Sequence, residues 1–125
     1  MHGQRLTLGA VYGPNSDDPE FYTDLFHRIE LIGNTTVIMG GDWNIPQDYD
    51  MDTCNYRNQN NKYAQETLHK LMMNFDLIDV WREMNPNINR YTWRGPNRKQ
   101  ARLDYFLISV DLELFIEHSN IAIAY

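Results

Sequence analysis

Asp42 and Asn44 stand two positions apart at the end of a short apolar run, Val37-Ile38-Met39-Gly40-Gly41-Asp42-Trp43-Asn44. Side chains at i and i+2 of an extended segment project to the same side. A carboxylate and an amide would therefore reach a common point. An open α/β sheet takes its ligands just beyond the carboxyl ends of its strands, and the pair falls at such an end. The apolar run fits a short strand buried on both faces. The two glycines let the backbone turn sharply or approach a neighbour closely. Plain turn chemistry competes with the ligand reading, because Asp and Asn stabilise turns by bonding their own backbone. Residue types alone leave the two level.

Three other groups stand out. Tyr12-Gly13-Pro14-Asn15 ends a strand beginning near Arg5 and presents a phenol and an amide, though a strand-end tyrosine commonly packs at the core or rim. Asp104 shares strand parity with Phe106 and Ile108, which aims a carboxylate at an otherwise apolar side. Burying it costs several kcal/mol unless it is paired or hydrogen-bonded. Arg94, Arg98, Lys99 and Arg102 sit on or beside a turn-rich hairpin connection, a local basic patch in a chain of net charge -6. An edge hairpin also carries charge simply to resist aggregation. Asp48, Asp50 and Asp52 alternate as in calcium loops, but the central glycine and closing glutamate are missing, so a solvated acidic loop is expected.

The elements that must position these groups are legible in outline. A chain of 125 residues allows one domain, and 42% hydrophobic residues allow a core. Its acidity excludes a global basic field for nucleic acid, so such contact needs a local patch or a metal ion. One cysteine precludes an internal disulfide, and no apolar run approaches membrane-spanning length. A soluble, intracellular domain with no membrane contact is expected. Asp18 and Pro19 start a helix whose apolar face is Phe21, Leu25, Phe26, Ile29 and Ile32, stopped by Gly33. The flanking strands are either a parallel pair joined by that helix or antiparallel neighbours. Residues 45–61 lack periodicity and read as a long loop, functional or mobile. A second helix spans Lys62 to Phe75 with Ala64, Leu68, Leu71, Met72 and Phe75 inward. An apolar turn follows at Leu77–Trp81. Strands are expected at Tyr91–Trp93, Ala101–Ser109 and from Ile121 to Tyr125.

Val11-Tyr12-Gly13-Pro14-Asn15, Gly41-Asp42-Trp43-Asn44, Tyr91-Thr92-Trp93 and Arg102-Leu103-Asp104-Tyr105-Phe106-Leu107-Ile108-Ser109 together resemble the endonuclease/exonuclease/phosphatase superfamily. More narrowly they resemble the abasic-endonuclease-like domain of LINE-type (non-LTR) retrotransposon polyproteins. The resemblance implies an α/β chain forming part of a four-layered, DNase I-like sandwich. It implies a single partial domain over 1–125, without the N-terminal metal-binding segment and the C-terminal Ser-Asp-His motif. By resemblance, Asp42 activates or orients the attacking water, and Asn44 bonds the scissile phosphate and helps order the metal site. Tyr12 stabilises the transition state, Asn15 positions the phosphate, and Asp104 orients a catalytic histidine. Magnesium, or manganese, is the implied cofactor. DNA is the implied partner, contacted by Arg94, Arg98, Lys99 and Arg102, and a reverse transcriptase is implied elsewhere in the parent polyprotein. A nuclear location follows if the source is a eukaryotic retroelement. The fragment alone is expected to be inactive. The alternatives are a non-catalytic binding module and a phosphoesterase acting on something other than DNA.

Overall fold

The computed structural model describes residues 5–33 and 36–113, and the strand expected at Ile121–Tyr125 lies outside them. Along the chain run β1 (Leu6–Tyr12), α1 (Pro19–Ile32), β2 (Thr36–Asp42), the short α2 (Tyr49–Asp52), β3 (Thr53–Cys54) and α3 (Lys62–Asn74). Then come β4 (Leu77–Asp79), α4 (Val80–Met84), β5 (Trp93–Arg94), β6 (Gln100–Ala101) and β7 (Asp104–Ser109). A four-stranded sheet has the order β1-β2-β7-β4, and a small sheet has the order β3-β6-β5.

Local chemistry explains α1. The Asp18 carboxylate accepts from Phe21 N, Pro19 opens the helix, and Gly33 ends it at a φ of 102°. Tyr22, Phe26 and Ile29 are its buried residues, whereas Ile32, expected inward, is exposed. The helix connects β1 and β2 in parallel, with Tyr12 opposite Asp42. β7 runs antiparallel to β2, and β4 antiparallel to β7. α1 and α3 cover one sheet face, packing Tyr22, Phe26, Ile29, Ala64 and Leu68 against Val11, Val37, Met39, Tyr105 and Leu107. Burial of each of the larger apolar side chains among these contributes about 1.5–3 kcal/mol. On the other face Ile38, Ile78 and Phe106 pack around Val80 and Ile108, while Leu6 and Leu8 on the edge strand β1 remain exposed. α3 begins at Asn61 without a cap from its own side chain. Asp17 supplies that cap from a distance, accepting from Ala64 N at 2.7 Å and Tyr63 N at 3.2 Å.

Three expectations need correction, and one open choice is decided. Of the two uses open to Gly40 and Gly41, a sharp turn or a close approach, the structure shows the second, with both inside β2, which extends to Asp42. Close approach is their reason: a Cβ on Gly40 would lie 2.4 Å from the Phe106 ring, and one on Gly41 2.1 Å from Val11 O. Gly41 also has a φ of 142°. Gly41→Ala should therefore destabilise by more than about 1 kcal/mol. An unchanged denaturant midpoint for that variant would contradict this close approach. Leu77–Trp81 is not an apolar turn but β4 followed by α4, whose N-terminus is capped by Asp79. Residues 101–109 do not form one strand, because the chain leaves the small sheet after Ala101 and enters the large one at Asp104. Residues 45–61 are partly ordered by packing that shows no periodicity: Ile45, Tyr49 and Asp52 are buried, and the Asp48 side chain caps α2.

Candidate active site

The strand ends bring together most of the polar groups singled out from sequence. Tyr12 and Asp42 end neighbouring parallel strands, and Asp42 lies directly opposite Asp104 across β2 and β7. Past Asp42 the chain turns, and Asn44 has a φ of 54°. The two side chains thus do not share a side through strand alternation, as extended geometry would require. Instead Asp42 Oδ1 accepts from Asn44 N at 2.9 Å. The turn chemistry is real, and it is how the site is assembled. Trp43 anchors the turn. Its ring is fully buried and stacks on Tyr105 at 5.7 Å. Its Nε1 donates to Tyr105 O at 3.0 Å, its backbone N to Leu103 O at 2.8 Å, and its carbonyl accepts from Tyr22 Oη at 2.5 Å.

The β1 end is tied to the same turn. Gly13 N donates to Asp42 O at 2.7 Å, and Asn44 Nδ2 donates to Gly13 O. A Cβ on Gly13 would collide with Trp43 O, so the Tyr12–Asn15 segment needs glycine there to close on the turn. Tyr12 and Asn15 are both exposed, on the rim. Asn61, buried and at a φ of 56°, donates through Nδ2 to Asn44 O at 3.0 Å, and Thr92 Oγ1 accepts from Leu103 N and Asp104 N. Sequence reasoning gave neither support a role. The hints were an asparagine-rich loop of no periodicity and the place of Thr92 in Tyr91-Thr92-Trp93.

Electrostatics distinguish Asp42. Burial raises its pKa above the ordinary carboxylate value; the Asn44 N–H opposes that rise, and the charge of Asp104 adds to it. Two carboxylates directly opposite on adjacent strands repel. A hard divalent cation would relieve that repulsion, and oxygen donors are the ligands magnesium and manganese prefer. Asp42, Asp104 and the Asn44 amide oxygen fit such an ion in chemistry. Among the described residues no group of three or more His, Cys, Asp or Glu side chains gathers to hold one, so the donor set here is partial.

Arg102 leaves the basic patch altogether. Its side chain is 1% exposed and forks between two buried carboxylates, Nε to Asp52 Oδ1 at 2.8 Å and Nη2 to Asp79 Oδ2 at 2.5 Å. It also lies over the Trp81 and Tyr105 rings. Burial alone would lower its pKa; the hydrogen bonds and charges of Asp52 and Asp79 outweigh burial and hold it above the ordinary value. The strand breaks at Arg102 because its N–H goes to Asp52 O and its fork is spent inside. Asp52, expected in a solvated acidic loop, is fully buried and also pairs with Arg82 at 2.5 Å. Arg94 and Arg98 are exposed and Lys99 half-buried, and these remain as the hairpin's cations. Lys99 Nζ sits 5.4 Å from the Tyr56 ring.

No family model matches the chain. It is 30% identical, over 129 aligned positions, to the transposon TX1 uncharacterized 149 kDa protein of Xenopus laevis, covering 98% of this chain and 10% of that one. In structure it is similar to an AP endonuclease from Archaeoglobus fulgidus, with a TM-score of 0.70 at 17% identity over 84% of this chain and 49% of that one. It is likewise similar to the 3'-5' exonuclease NExo from Neisseria meningitidis, with a TM-score of 0.65 at 20% identity and the same two coverages. The chain thus spans about a tenth of the transposon protein and about half of each solved structure. Its fold is the DNase I-like α/β fold of endonucleases, exonucleases and phosphatases.

Proposed function

We propose that this chain, folded as part of a DNase I-like domain, belongs to a metal-dependent DNA endonuclease that nicks a target site for a LINE-type retrotransposon. The observation that carries this reading is the placement of Asp42 opposite Asp104, with Asn44 and Tyr12 at the same end of the sheet. Similarity to a transposon protein supports the retroelement source and a larger polyprotein as its setting. A reverse transcriptase in that polyprotein, and a nuclear site of action, belong to the same proposal.

The residues divide the work as follows. Asp42, at the end of β2 beside Asn44 and opposite Asp104, is placed to orient and deprotonate a water. Attack by that water at phosphorus breaks one ester bond, and the released alkoxide takes a proton from solvent. Asn44, locked by its bonds to Gly13 O and Asp42, offers a fixed amide to the phosphate. Asn15 stands beside it on the rim. The exposed Tyr12 phenol is free to meet charge developing on phosphoryl oxygens. Asp104, held through its backbone by Thr92, orients a partner group. A magnesium or manganese ion held by Asp42, Asn44 and further oxygens would neutralise negative charge on the phosphate. A catalytic unit fails as a whole when members are lacking. The 125 residues by themselves should therefore nick supercoiled plasmid no faster than their Asp42→Ala form, and nicking well above that control would overturn the requirement for further groups.

Substrate class is tested in a polypeptide spanning the whole fold, with intact, abasic and nicked DNA set against inositol phosphates. Turnover of DNA supports the proposal; turnover of inositol phosphates alone would replace it with the phosphoesterase reading. The hairpin gives a second test. Replacing Arg98 and Lys99 together with alanine should weaken duplex binding and flatten its dependence on salt by about two counterions. An unchanged slope would remove the hairpin from the interface.

A further inference from the structure

Behind the Asp42–Asn44 turn, on its helix side, stands one buried hydroxyl. Tyr22 lies in the first turn of α1 and is 1% exposed, and its Oη donates to Trp43 O at 2.5 Å. The same oxygen lies against Gly13, where a Cβ would come within 2.5 Å of it. Gly13 belongs to the segment that carries Tyr12 and Asn15, and its N–H donates to Asp42 O at 2.7 Å. The phenol is thus wedged between the two segments that meet at the site. Its ring is held too, stacked on Trp43 at 6.5 Å with the planes 18° apart and edge-on to Phe21 at 5.0 Å. Burial first, and then the charges of Asp42 and Asp18, hold its pKa above the ordinary value, so the hydroxyl stays a donor.

We propose that Tyr22 is a positioning residue for Asp42, acting through the peptide that joins Trp43 to Asn44. Trp43 O and Asn44 N are the two ends of one planar unit, which turns only as a whole. Tyr22 holds the carbonyl end, and Asp42 Oδ1 accepts from the N–H end at 2.9 Å. Fixing the carbonyl therefore fixes the direction of the N–H, and the N–H fixes the carboxylate. The peptide needs such a hold, because Asn44 sits at a φ of 54°, a left-handed backbone kept in place by its surroundings. Tyr22 is buried and reaches the chemistry only through this lever. Its effect on turnover rests on the nuclease reading; its hold on the turn does not.

The test uses Tyr22→Phe, which removes one oxygen and keeps the ring, in a polypeptide that contains this chain within a complete fold. Its kcat for plasmid nicking should fall about tenfold or more with KM for DNA within about twofold, because a misplaced reacting group acts on turnover. A second readout needs no activity. Hydrogen exchange at Asn44 N should rise about tenfold relative to the amides of the β2–β7 ladder, the size expected of one lost hydrogen bond. Ile29→Val, further along the same buried face of α1, is the control for packing. It should lower the denaturant midpoint yet leave kcat, and Asn44 exchange relative to the ladder, unchanged. Unchanged exchange at Asn44 in Tyr22→Phe would overturn the proposal whatever the activity. Equal losses of kcat in the two variants, or faster Asn44 exchange with full kcat, would overturn it as well. An unmodified domain that fails to nick DNA, with Asn44 loosened in Tyr22→Phe, would support the hold on the turn and defeat the nuclease reading alone.

Discussion

Asp42→Asn, placed in a complete domain, should lose about two to four orders of magnitude in turnover, the range associated with a positioned proton acceptor, while gaining stability. The gain follows from the direction of the Asp42 shift. Its carboxyl pKa is raised in the folded chain, by burial first and by Asp104 after the opposing bond from Asn44. A raised acid pKa means the folded state binds the proton more tightly than the unfolded state. Asp42 therefore costs no stability below its ordinary value of 3.8, and its cost grows as pH rises through the raised value. Asparagine keeps an oxygen for the Asn44 N–H and carries no charge to set against Asp104. The variant should unfold at a higher denaturant concentration near neutrality, with the difference shrinking as the solution is acidified through the raised value and gone below about pH 4. A variant less stable at neutral pH would show that the Asp42 charge holds the turn together, not that it is held there for chemistry.

Arg102→Ala should be the most damaging single change to the fold, at about 3–5 kcal/mol, because it strands two buried carboxylates. Asp52 is fully buried and Asp79 8% exposed, and each gives oxygens to the same guanidinium. Asp52 keeps Arg82 as a partner, whereas Asp79 is left with only its helix cap. The effect should reach the site, because Arg102 is the residue at which the chain passes from β6 to β7 and so fixes where Asp104 begins. Arg82→Ala, losing a partly exposed cation, should cost less. Denaturant midpoints for the two variants decide the ranking. A mild loss in Arg102→Ala, equal to that in Arg82→Ala, would mean that water replaces the guanidinium and that the cluster does not set the register.

What could be read from the residues was what depends on neighbours in sequence. Asp18, Pro19 and Gly33 mark both ends of α1 because capping is a matter of a few residues. The inward faces of both long helices follow from spacing alone, apart from Ile32 and the overlooked Tyr22. The candidate residues Tyr12, Asp42 and Asp104 lie at one end of one sheet, with Asn44 in the turn just past it. Contacts across the chain were hidden. Arg102 looks like its neighbours in a basic stretch until Asp52 and Asp79, 50 and 23 positions away, are seen to enclose it. β4 has three residues and owes its existence to pairing with β7, which no local pattern records. The turn at Asn44 follows from a side-chain bond and a left-handed backbone, both invisible to strand alternation.

The most direct test of the central claim is the metal dependence of plasmid nicking by a polypeptide that contains this chain within a complete fold. No nicking is expected in EDTA, with recovery on adding magnesium or manganese. Asn44→Ala should require more metal, and Asp104→Asn should give slower turnover at saturating metal, with Asp42→Asn close to background. Nicking that persists in EDTA, or that is equal in all three variants, would contradict it.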